Sequence, residues 1–141
     1  MSQTRGFSLI ELLIVVAIIL IITAIAVPNL LQARIRSQEA SAVNSVRTIT
    51  SAEIMYRIRF GTYTGLADLH EEGILDTELG TAPHQKSGYV FSATGDIQSF
   101  TVGATPIADG AGRRSFCSDT PAVIRFAESG SCDTGSSPTI E

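Results

Sequence analysis

Between Phe7 and Leu31 the chain carries a single formally charged side chain, Glu11, in an otherwise almost wholly apolar run. At about 1.5 Å per helical residue, such a run reaches across the hydrocarbon core of a bilayer. The chain is therefore expected to be membrane-inserted at some stage. A carboxylate in that setting is costly, because desolvation favours its neutral form and an unpaired charge in hydrocarbon is heavily penalised. Glu11 needs either a wet position near the headgroups, an answer from Arg5, or another cation. Cleavage after Gly6 would supply one, since the new amine at Phe7 would be a positive charge in apolar surroundings. The Glu11 of a neighbouring copy could neutralise it, in a low-dielectric bundle where the pair attracts far more strongly than in water.

The residues around that glutamate, Arg5-Gly6-Phe7-Ser8-Leu9-Ile10-Glu11-Leu12, followed by Leu13 to Leu20 and by Pro28-Asn29-Leu30, resemble the type III signal of type IV pilins and type II secretion pseudopilins. The resemblance implies that a prepilin peptidase and methyltransferase of the inner membrane cuts after Gly6 and methylates Phe7. It also implies that Glu11, the fifth residue of the mature chain, serves processing and subunit docking. On this reading the chain is a structural subunit, not an enzyme. It is held in the inner membrane by one span, then polymerised by the pilus assembly machinery into a homo-oligomeric helical filament at the cell surface. The alternatives are a type II secretion pseudopilin and a membrane-anchored periplasmic binding protein that never polymerises. Ala24-Ile25-Ala26 also fits the cleavage site of an ordinary secretory signal, which would start the mature chain at Val27. The length of the apolar region and the glutamate within it argue against that.

Once a membrane segment is set aside, a chain of 141 residues has room for one modest domain and no second core. Five parts are expected: a leader over 1–6, an assembly or transmembrane half-helix over 7–31, an amphipathic half-helix over 32–60, a connector over 61–87, and a sheet region over 88–141. The leader's one cation, Arg5, would keep it cytoplasmic, but Arg34 and Arg36 on the far side blunt that rule, so orientation rests on the resemblance. Pro28 removes an amide donor and crowds the Ala24 carbonyl, which predicts a helix kink, with the Thr23 hydroxyl available to a freed carbonyl. From Gln32 to Phe60 there is neither glycine nor proline. Helical spacing places Ile35, Ala42, Val46, Ile49, Tyr56 and Phe60 on one face, with Glu53 intruding, and Val43, Ile54 and Ile58 on another. One helix from Phe7 to Phe60 follows. Its first half is apolar all round and must be covered by lipid or by other copies.

Gly61 and Gly65 end that helix, and Leu66 to Gly73 reads as a short helical turn. Tyr89 to Ala93 and Ile97 to Val102 flank Thr94-Gly95-Asp96 and read as a hairpin; Arg113 to Cys117 and Ala122 to Ala127 add further strands. Three or four antiparallel strands are expected, one face packed on the helix. The fold class is thus α+β: a long N-terminal helix on a small antiparallel sheet, as in type IV pilins. Cys117 and Cys132, the only cysteines, are most simply a disulfide in an oxidising compartment. A disulfide-bound region near the C-terminus resembles pilins more than pseudopilins. Gly135 to Pro138 reads as a mobile polar tail.

Charge is divided unevenly: from Gln32 to Phe60 five arginines face two glutamates, a net +3, while everything after Phe60 holds eleven acids and four bases, a net −7. Basic stems and acidic heads of adjacent copies would attract in a filament; simple solvated faces are the alternative. No dense basic patch with stacking aromatics indicates a nucleic-acid partner. His70 and His84 lack metal-ligand spacing and read as loop histidines. Asp109, Asp119 and Asp133 lie in loops without a calcium-loop pattern. No local catalytic triad or phosphate-binding glycine loop is recognisable, and no cofactor or metal is expected.

Overall fold

A computed structural model describes residues 6–108 and 110–140; Arg5 and Asp109 lie outside the described residues. Residues up to Arg34 and residues from Ile35 onward form two compact units. One helix, α1 (Leu9–Phe60, 52 residues), contributes to both. It begins two residues later than the sequence pattern predicts. The Ser8 carbonyl accepts the Glu11 and Leu12 amides at 3.1 and 3.3 Å, which leaves Gly6 to Ser8 ahead of the first turn.

In the first unit the large apolar side chains from Phe7 to Leu31 are exposed, and the segment is long and apolar enough to cross a membrane. The helix continues through Pro28. The Thr23 hydroxyl does not compensate the Ala24 carbonyl, as the sequence allowed; it donates to Ile19 O at 2.8 Å, the ordinary back-bond to the preceding turn.

In the second unit α1 buries Ile35, Ala42, Val46 and Ile49, the face expected from helical spacing. The same face departs from expectation at its C-terminal end. Tyr56 is only half-buried, at the margin of the core, and Phe60 is exposed; their rings meet at a tilt with centroids 4.5 Å apart. The second expected face stays mostly outside, with Ile58 81% exposed. Two short helices follow, α2 (Leu66–Glu71) and α3 (Thr77–Gly80). Of these, α3 had no clear sequence signal; it is capped by the Asp76 carboxylate, which accepts the Leu79 amide at 3.0 Å.

The sheet has five strands in the order β1-β2-β3-β4-β5, all antiparallel. They are β1 (Gln85–Lys86), β2 (Tyr89–Gly95), β3 (Phe100–Pro106), β4 (Ser115–Asp119) and β5 (Ile124–Ala127). Inward-facing Tyr89, Phe91, Phe100, Val102, Ala104 and Phe116 form one core with Ala42, Val46, Ile49 and Ala52 of α1. Burying both apolar surfaces against each other is what joins helix to sheet.

Two sheet expectations are corrected. The β1 strand lies in the segment read as connector, joined to β2 by Ser87 and Gly88, both at positive φ (50° and 81°), as a tight two-residue hairpin requires. The β2–β3 turn falls at Asp96 to Ser99, after Gly95 has paired with Phe100. There the Asp96 carboxylate accepts the Gln98 and Ser99 amides at 2.7 and 2.8 Å, an Asx turn that outcompetes the glycine signal. The C-terminal segment is also held, not loose. The Phe126 amide donates to Pro138 O at 3.0 Å, and the Ile140 amide to Ile124 O at 2.9 Å, so the exposed edge of β5 is covered.

Candidate functional site

The predicted site residues fall in two places. Gly6 and Phe7 precede α1, and Phe7 is 80% exposed. A side chain built at Gly6 would meet nothing within 4 Å, so among the described residues no packing demands glycine there. Glu11 lies in the first turn of α1, where a carboxylate is favourably placed against the helix dipole. Pro28 lies within the same helix. Together they form an exposed apolar rod that carries its acid at the end where the chain begins.

The other predicted pair is joined: Cys117 of β4 and Cys132 form a disulfide with Cα atoms 5.6 Å apart. A second tie lies beside it, since the Ser115 hydroxyl donates to Gly130 O at 2.7 Å. The last strand and its tail are thereby fixed to the sheet.

What the sequence did not disclose is how α1 is fastened to that sheet by charge. Glu39, 6% exposed, accepts the Arg113 amide at 3.0 Å and receives the Arg114 Nε and Nη2 at 2.9 and 2.6 Å. Burial pushes the Glu39 carboxyl up, but the hydrogen bonds and charge of Arg114, with the Arg113 amide, outweigh it and hold the group below the usual glutamate range. Arg114 also lies over the Phe116 and Phe126 rings at 5.8 and 5.3 Å. A signal existed, because Glu39 is one helical turn from Ile35 on the buried face.

Glu53, the acid expected to intrude on that face, is fully buried. One carboxylate oxygen accepts the Thr64 amide at 3.0 Å, pinning the chain where it leaves α1; the other has no partner among the described residues. Burial pushes this carboxyl up, and nearby Asp68 pushes the same way, against the Thr64 bond. Asp68 itself is hydrogen-bonded by the Thr64 hydroxyl.

The histidines are not simple loop residues. Both are half-buried, with Nδ1 of His70 3.1 Å from Leu75 O and Nδ1 of His84 2.8 Å from Leu79 O. They tie the α2–α3 connector together. Asp133 has its carboxylate taken by the Gly135 amide and the Ser136 hydroxyl. Among the described residues no three His, Cys, Asp or Glu side chains gather in a metal-binding group.

Comparison with known proteins agrees with this geometry. Residues 1–27 match the family described as the prokaryotic N-terminal methylation motif. The type IV major pilin protein PilA of Myxococcus xanthus is 32% identical over 157 aligned positions, covering 98% of this chain and 67% of that protein. The type IV wide pilus major component PilA4 of Thermus thermophilus is 31% identical over 103, covering 73% of this chain and 76% of it. With an exposed apolar helix led by a methylation motif and a disulfide-closed sheet behind it, the chain belongs to the type IV pilin family, whose members are structural subunits and not enzymes.

Proposed function

We propose that the chain is made as a prepilin, cut after Gly6, methylated at Phe7, and assembled as a major subunit of a type IV pilus. Residues 1–6 are the leader removed in this step. The half-helix 7–31 holds the subunit in the inner membrane as a single span and then forms the filament interior; 32–60 carries the head built from 61–141. Pro28 lets the helix yield locally as the subunit leaves lipid for the filament.

The single observation behind this reading is the position of Glu11, one carboxylate in the first turn of an otherwise exposed apolar helix. Its counter-charge on this reading is the Phe7 amine of the adjoining subunit, with both charges losing water together on assembly. The pilins named above support a pilus over a secretion pseudopilus, as does the C-terminal disulfide.

Glu11→Gln tests it. Mass spectrometry of the mature subunit should show a chain beginning at methylated Phe7 in the unaltered protein, and the variant should yield few or no sheared fibres. A mature chain beginning at Val27, or normal fibre yield from the variant, would overturn the reading.

A further inference from the structure

We infer that the groove between the Arg36-to-Arg47 stripe of α1 and the β4–β5 side of the head receives the acidic α2–α3 connector of a second copy. This rests on the filament reading above and names a contact between heads. The groove, of about 290 Å³, is lined by Arg36, Val43, Asn44, Arg47, Phe116 and Ile140, with Arg114 at its side. Arg114 is already committed to Glu39. Arg36 and Arg47 are exposed and form no ion pair among the described residues. Helical spacing puts both on one line with Val43, so the site is an apolar floor between two unused cations.

The complementary surface is on the same chain but elsewhere. Between Asp68 and Glu78 stand five acids, and three are occupied at home. Asp68 is bonded by Thr64, while Asp76 and Glu78 meet the Lys86 ammonium at 3.5 and 3.0 Å. Glu71 has no ion-pair partner among the described residues, and Glu72 reaches Arg59 only at 3.8 Å; both are exposed. The acids of the turns are poorer candidates, because the Asp96 and Asp133 carboxylates are taken by their own backbone amides.

Placement decides the partner. Lys86 fastens the acidic connector to β1, whereas Phe116 belongs to β4 and Ile140 is bonded to Ile124 of β5. The α3 end of the connector thus lies at the β1 edge of the five-stranded sheet and the groove at its β4–β5 side, with Glu72 beside Arg59 of α1; the two sides are about 14–19 Å apart at roughly 4.8 Å per strand. Two different, complementary surfaces on separate sides of the head make a heterologous contact, which repeats in one direction and extends a filament; a self-complementary patch would close as a dimer. Charge complementarity of this kind also fixes register. Individual exposed pairs are weak, but this contact recurs at every subunit and loses water beneath its neighbour.

The test uses the full chain in cells that display its filaments. Arg36→Glu with Arg47→Glu, and separately Glu71→Lys with Glu72→Lys, should each lower sheared filament roughly tenfold, and all four changes together should restore it to within about twofold. All four residues are exposed, so subunit levels in the membrane should stay constant. Either pair behaving like the unaltered chain, or the combined variant remaining as poor as the worse pair, would overturn the docking. As a second measurement, Asn44→Cys with Glu71→Cys should give a ladder of covalently linked subunits on oxidation of assembled filaments. No ladder, or bands that stop at a dimer, would overturn it too. Absence of filaments from the unaltered chain is a separate failure: it removes the pilus reading and the docking with it, whereas normal filaments with silent charge reversals remove the docking alone.

Discussion

Replacing Glu39 by glutamine isolates the charge that ties α1 to the sheet. The carboxylate accepts three bonds from Arg113 and Arg114, at 3.0, 2.9 and 2.6 Å. Glutamine keeps the shape and one acceptor oxygen but removes the charge. A hydrogen bond to a charged group is worth about 1.5–3 kcal/mol, and stripping one partner from a fully buried pair costs about 3–5. Here the Arg114 side chain remains 39% exposed, so its stranded charge stays wet and the lower figure governs. The loss works out at about 2 kcal/mol, equivalent to a fall in Tm of roughly 8 °C for a domain of this size. The assay is thermal unfolding of the full chain in detergent micelles, with Arg114→Gln and the double variant completing a cycle; the pair should couple by about 1 kcal/mol or more. The pH dependence follows from the depressed Glu39 value. Below its unfolded pKa the unfolded chain takes up the proton first, so the advantage of glutamate over glutamine is full at pH 7. It shrinks as the pH falls from the ordinary glutamate range through the folded pKa, and is gone below both. A Glu39→Gln variant that melts with the parent at pH 7, or a gap undiminished at the acid limit, would refute the reasoning.

Glu53→Gln should act in the opposite sense. Burial raises the Glu53 pKa, so its ionisation opposes the fold as pH rises from the unfolded value through the folded one. The variant should gain stability relative to the parent at pH 8 and lose that gain at pH 4, which paired melts at the two pH values would detect. Changing Cys117 and Cys132 together to serine should lower stability by about 3 kcal/mol, the chain-entropy figure for a loop of this length. A urea midpoint unchanged by the double substitution would count against a stabilising role for the bridge.

Much of this architecture was legible because its signals are periodic or local. The apolar run from Phe7 to Leu31, the glycine-free stretch after it and the Leu66 turn each announce their element directly. The residues around Glu11 carry the family resemblance without help from the fold. What escaped depends on contacts between distant segments. Glu39 lies on an apolar face by spacing alone, and only folding brings Arg114 to it across the sheet. Gly95 read as a turn because glycine usually marks one. Its actual constraint is proximity to Tyr63, whose Cβ would lie 2.5 Å from an added side chain. The tail from Gly135 onward was polar and short, and nothing in its composition shows that β5 has an open edge for it to cover. Similarly, His70 and His84 looked like isolated loop residues until the connector folded its carbonyls onto them.

From β2 onward, each strand of the head pairs with the strand synthesised immediately before it. On the proposed single-span topology, in which the leader stays behind and the head crosses in sequence order, the hairpins can zip in order of arrival onto an α1 face already on the far side. Neighbouring partners keep loop-closure entropy small and favour rapid folding. The bond between Cys117 and Cys132, the Ser115 tie to Gly130 and the crossing of Pro138 and Ile140 to β5 await the last residues. Closure of that cysteine pair therefore comes after every strand of the head has its partner, and it locks a sheet already built.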